Sequence, residues 1–193
     1  MKSRHLVLLI AALSLTSVDA QQPAWQIHDA PAQVRPVIAR ADLVIAQLQD
    51  AVLRELNDAL SQGGPDVAIN SCHIDTTLTT YLFARQGIAA GRTSDRLRSP
   101  THRPPQWAAE IVRTWAGRSA REIDGFAVDL GGKIGVLRPI VEREMCGVCH
   151  GPLERLSPRV REVLADRFPH DRAVGFRQGE IRGWFWVEMP KPR

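Results

Sequence analysis

The sequence predicts an α+β domain in which a small antiparallel sheet lies beside a long N-terminal helical pair. Three observations predict it. A helical periodicity runs over residues 31–62 and a second over 66–85. A paired glycine, Gly131-Gly132, sits between two short apolar stretches, and residues 181–187 alternate between two faces.

Taken in order, the first element is a targeting segment. Lys2 and Arg4 precede an apolar run over residues 6–13, which gives way to Ser14, Thr16 and Ser17. That is the anatomy of a cleaved signal peptide over residues 1–20. Val18 and Ala20 suit a signal peptidase, so the mature chain is expected to begin at Gln21 and to form one domain over residues 21–193. The run is too short to span a bilayer, and no cysteine follows the cut to carry a lipid. The expected location is the periplasm or another exported compartment.

Ile38, Ile45, Leu48, Val52, Leu56 and Leu60 recur at threes and fours among Asp50, Arg54, Glu55 and Asp58, as in a long amphipathic helix. Gly63, Gly64 and Pro65 stop it and open the second helix, which carries Val67, Cys72, Leu78 and Leu82. The two are expected to pack antiparallel. From Gly91 to Pro105 the chain is polar and broken by proline, a loop suited to wrapping something. Pro104 and Pro105 start a short helix through Trp107, Ile111 and Trp115 that ends near Gly117. Strands at 126–128 and 134–137 flank the glycine pair. Residues 139–144 are expected to lead helically into Cys146. The closing strand places Ile181, Phe185 and Val187 on one face and Arg182, Trp184 and Trp186 on the other.

The formal charge of +4 over 193 residues comes from arginines scattered among acids. Such a surface is solvated rather than shaped for nucleic acid. Three cysteines in an exported chain leave one thiol over after any pairing.

Cys146-Gly147-Val148-Cys149-His150 is the attachment signature of c-type haem. Two thiols one loose turn apart reach the two vinyl groups along one porphyrin edge, and the adjoining imidazole of His150 then meets the iron. Gly147 lets backbone and macrocycle approach closely. A thioredoxin-like pair would want a long helix afterwards, but Gly151 and Pro152 break the chain at once. A zinc site would want a second paired motif. One covalent haem c is therefore expected on Cys146 and Cys149.

The other face of the iron has several candidate ligands: Cys72, His73, His102, His170, Met145 and Met189. Position alone does not choose among them. Arg92, Arg96, Arg98 and Arg103 have the fork geometry that suits haem propionates, and a solvated loop is the competing reading. Trp107, Trp115, Trp184 and Trp186 read as core before they read as pocket walls.

These residues also fall into blocks that resemble a family of PAS-like haem-c proteins and sensor domains long described as a domain of unknown function. The blocks are Ala68-Ile69-Asn70-Ser71-Cys72; Gly91-Arg92-Thr93-Ser94 with Arg98 and Pro100; Pro104-Pro105-Gln106-Trp107; Cys146 to Gly151; Phe168-Pro169-His170-Asp171-Arg172-Ala173-Val174-Gly175-Phe176; and Gly179-Glu180-Ile181-Arg182-Gly183. The resemblance implies a PAS-like fold and makes Cys72 the second axial ligand, giving a monohaem protein with His/Cys ligation. In one place the chain departs from the family. Ser99-Pro100-Thr101-His102 stands where Asn-Pro-x-Asn is usual, which keeps His102 in play as an alternative ligand.

The expected function is an exported monohaem c-type cytochrome of low potential in one-electron transfer, because a thiolate donor favours oxidised iron. The alternative is a haem-based redox or gas sensor acting through a partner protein. An enzyme such as a peroxidase would need an open iron position and a distal base. The sequence does not name the redox partner.

Overall fold

The computed structural model describes residues 22–70 and 77–192. In chain order these form β1 (Ala24–Gln26), α1 (Arg35–Gly63), α2 (Pro65–Asn70), α3 (Thr77–Ala84), β2 (Ala89–Thr93), α4 (Ala109–Thr114), β3 (Phe126–Asp129), β4 (Lys133–Val141), α5 (Gly147–His150), α6 (Pro158–Arg167) and β5 (Ile181–Pro190). The strands make one antiparallel sheet in the order β1-β3-β4-β5-β2. This is the α+β, PAS-like class that the sequence predicts. The signal-peptide segment and the candidate ligands Cys72 and His73 lie outside the described residues.

The helical stripe of α1 does what its period requires. Val37, Ile38, Ala41, Val44, Ile45 and Leu48 are buried, and they pack on Val136, Phe185, Val187 and Met189 of the sheet. The helix begins at Arg35, later than expected, because Val34 N–H donates to Pro31 O at 2.9 Å and closes a turn first. Gly64, at φ +80°, ends it and donates to Leu60 O at 2.9 Å. Arg138 of β4 ties the helix down with a two-pronged bond to Asp42, both contacts at 2.7 Å.

The sheet's opposite face is covered by the segment around α4. Trp184, Leu137, Val112, Ala108 and Ile123 make this second core, with Trp107, Trp115 and Trp186 packed against it. The tryptophans are therefore core, as their spacing suggested. Two glycines make the packing feasible. A Cβ on Gly91 or Gly135 would come within 2.9 Å of the indole of Trp186 or Trp107 respectively.

Three expectations are corrected. Residues 139–141 are strand, not helix: Pro139 pairs in register with Trp184. It is tolerated there because β4 has already run past β3, whose pairing stops at Leu137, so one side of Pro139 is an edge. Ile181 shares the core of Trp184 rather than that of Phe185, because the β4–β5 register shifts between Ile140 and Val141 and breaks the simple alternation. The loop expected from Gly91 instead begins inside β2, whose Ala-Ala-Gly-Arg-Thr sequence is poor in strand formers and is held by β5.

Candidate functional site

The chain leaves β4 at Val141 and tightens through a 3-10 turn, Glu144–Cys146, into the single turn of α5. Gly151 closes it, donating to Gly147 O at 3.0 Å. A Cβ at position 151 would stand 2.6 Å from that same oxygen, so only glycine allows so tight an exit. Cys146, Cys149 and His150 thus share one turn, each partly exposed.

His150 is oriented by one bond: its Nδ1 lies 2.7 Å from Ala173 O. A carbonyl only accepts, so the proton sits on Nδ1 and the lone pair on Nε2. Burial pushes the imidazole well below its usual range, Arg182, Arg98 and Arg92 push the same way, and the Ala173 bond opposes them. The ring is neutral, with the lone pair on Nε2. A second group fixing the far nitrogen is the arrangement that a metal-ligating histidine requires.

Two further backbone bonds lock α5 to the segment that supplies Ala173. Phe176 N–H donates to His150 O at 3.0 Å, and Gly175 N–H donates to Gly151 O at 2.9 Å. The arginine-rich loop grips this joint. Arg98 Nη2 donates to Cys149 O at 2.8 Å, and its Nε pairs with Asp171 Oδ2 at 3.0 Å. Asp171 in turn accepts from Ala173 N–H at 2.8 Å. Arg96 reaches Val174 O at 3.2 Å, and its guanidinium lies 4.5 Å above the Phe176 ring. The loop does wrap something, namely the residues that orient the histidine.

Of the expected site residues, the fold therefore gathers Cys146, Cys149, His150, Arg92, Arg96 and Arg98. Arg98 is committed to protein groups, with its side chain only 5% exposed. His102 ends the 3-10 turn Pro100–His102 beside β2, and its carbonyl accepts from Thr93 Oγ1 at 2.8 Å. Cys72 lies outside the described residues, but Ile69, three positions before it, is fully buried in a cluster with Leu156, Val160 and Leu164, against which Cys149 packs.

The sequence reasoning missed two groups. Arg182 Nη1 stands 3.5 Å from His150 Nε2, on the side where a ligand to that nitrogen would bind. Its Nε is 3.1 Å from Glu142 Oε2, with the Glu142 side chain 2% exposed. Arg182 falls in a block quoted above for the family resemblance, so its signal was available. Glu142, within Val-Glu-Arg-Glu, reads as solvated and carries none.

A family model described as Tll0287-like matches residues 21–190. No curated protein matches in sequence. Among solved structures, that of the cyanobacterial haem protein Tll0287 matches at 18% identity and a TM-score of 0.56, covering 85% of this chain and 99% of the other. At that identity the likeness speaks for the fold. Among the described residues no helix is long and apolar enough to cross a membrane.

Proposed function

The chain belongs to the Tll0287-like family, and from that premise we propose that it is an exported haem protein carrying one covalent haem c for one-electron transfer. Cys146 and Cys149 would form the thioethers, and His150 Nε2 would hold the iron, replacing the contact with Arg182. When bound, the haem supplies a reversible one-electron couple. The observation that carries the reading is the bond from His150 Nδ1 to Ala173 O, which leaves a neutral imidazole with its Nε2 lone pair available.

The donor set fits the group. Two sulfurs and an imidazole sit on one turn, Gly147 has nothing within 4 Å of a Cβ position, and the charges of Arg182 and Arg92 bear on the ring. A haem carries two propionates that such cations suit. Cys72 is the proposed second ligand, supported by the resemblance of its block and by the packing of Ile69 against the cluster that holds Cys149. With His150 and Cys72 both holding the iron, a thiolate donor would lower the potential and favour electron transfer over chemistry at the metal.

The test is expression in a host that matures c-type cytochromes, followed by intact mass and by absorption and EPR spectra. The expected result is a protein heavier than the polypeptide by one haem, with low-spin thiolate-ligated spectra lost in Cys72→Ala and kept in His102→Ala. A colourless protein of bare polypeptide mass would overturn the reading. Spectra of the reduced protein that change on adding CO would argue for sensing instead.

A further inference from the structure

Glu142 is the most anomalous buried group in the described structure. It follows β4, and its backbone is tied at both ends, its N–H donating to Glu180 O and its carbonyl accepting from Gly179 N–H, each at 2.9 Å. Its side chain is 2% exposed, yet neither carboxylate oxygen has a hydrogen-bond partner among the described residues. Arg182 Nε approaches Oε2 to 3.1 Å with its N–H poorly aimed, so charge attraction alone holds the pair. A buried carboxylate that no donor satisfies is costly, and taking up a proton relieves it.

The same guanidinium meets His150 Nε2 at 3.5 Å through its Nη1. One planar group thus lies between a carboxylate with no hydrogen bond and the nitrogen proposed to bind iron; iron on that nitrogen would take the place of the Nη1 contact, with the guanidinium then beside the metal and paired to Glu142 through Nε. The separation stays within about a Debye length, roughly 8–10 Å at moderate salt, and low-dielectric surroundings screen it less than water would.

We propose that Glu142 is a proton-binding group coupled to reduction of the haem, with Arg182 transmitting the charge change between them. The proposal rests on the haem reading above. Glu142 takes a proton from solvent as one electron from a one-electron reductant reaches the iron. One O–H bond forms on the carboxylate, ferric iron becomes ferrous, and the net charge of the site is unchanged. Reduction removes a positive charge near Arg182, which raises the proton affinity of the carboxylate beyond.

The other charges facing Glu142 do not reverse this. Burial is the main influence and lifts its carboxyl to about 7; Arg182 pulls the other way, and Glu180 adds to the rise. The Glu180 carboxylate accepts from Arg177 N–H at 3.2 Å, Arg118 pairs with Glu122 at 2.8 Å, and the His150 ring is neutral.

The test is potentiometric titration of the haem-loaded protein across pH 5.5 to 8.5, on wild type and Glu142→Gln. The expected wild-type midpoint falls with rising pH near neutrality, by up to about 59 mV per tenfold fall in proton activity for one electron. In Glu142→Gln the profile is flat there, with the haem mass and absorption spectrum kept. A flat wild-type profile, or an equal slope in the variant, overturns this proposal and leaves the haem reading standing. A preparation without covalent haem overturns both. Should the variant fail to fold, redox-difference infrared spectra of wild type labelled with carbon-13 glutamate serve instead. A labelled protonated-carboxyl band growing on reduction supports the proposal, and its absence overturns it.

Discussion

Arg98 and Asp171 form an ion pair at 3.0 Å with side chains only 5% and 7% exposed, although 73 positions separate them in the chain. The same guanidinium holds the carbonyl of Cys149 at 2.8 Å. A pair so placed contributes less through attraction than it costs when one member is removed.

Arg98→Met should therefore destabilise the protein by about 3–5 kcal/mol, the range for stranding a buried charge. Arg98→Met with Asp171→Leu should recover part of that loss. Urea denaturation of the two variants checks it, and equal losses in both would contradict the argument.

Arg138 and Asp42 make the two-pronged bond between sheet and first helix in a half-exposed setting. Asp42→Ala should cost about 1 kcal/mol, at the upper end for exposed pairs because the geometry is bidentate. Raising the salt concentration should shrink the difference between variant and wild type.

Gly135→Ala should cost about 1–3 kcal/mol, since the new methyl meets the Trp107 indole at 2.9 Å. Trp107→Leu removes the obstacle as well as some packing. The two substitutions should be non-additive, with the double variant more stable than the sum of the single losses implies.

The apoprotein should lose stability as pH rises from the ordinary glutamate value of 4.5 to about 7. Glu142 is raised in the folded state, so its protonated form favours folding below the unfolded value, and that contribution fades as pH climbs through the folded one. The loss is on the order of 3 kcal/mol. Thermal unfolding of apo Glu142→Gln should show a flatter profile over this window.

Much of this was legible beforehand because it depends on local chemistry. The buried stripe of the first helix follows from spacing alone, and the paired glycines announce the hairpin. The turn of Cys146, Cys149 and His150 follows from the motif. The errors share one physical cause, which is pairing supplied from far along the chain. Ala89–Thr93 is a strand only because the closing strand accepts it, and Pro139 is tolerated only because a neighbouring strand ends early. The Ala173 carbonyl and the Glu142 carboxylate belong to the site through contacts that residue type does not advertise.

The closing strand sends Phe185, Val187 and Met189 into one core and Trp184 into the other, and its second residue is the arginine that touches His150. Fraying of that strand would unpick both cores and the histidine's surroundings together. Amide deuteration should accordingly report one shared opening event for the strand's interior and for Phe176, whose N–H is bonded to the His150 carbonyl, rather than a site that breathes while the sheet stays shut.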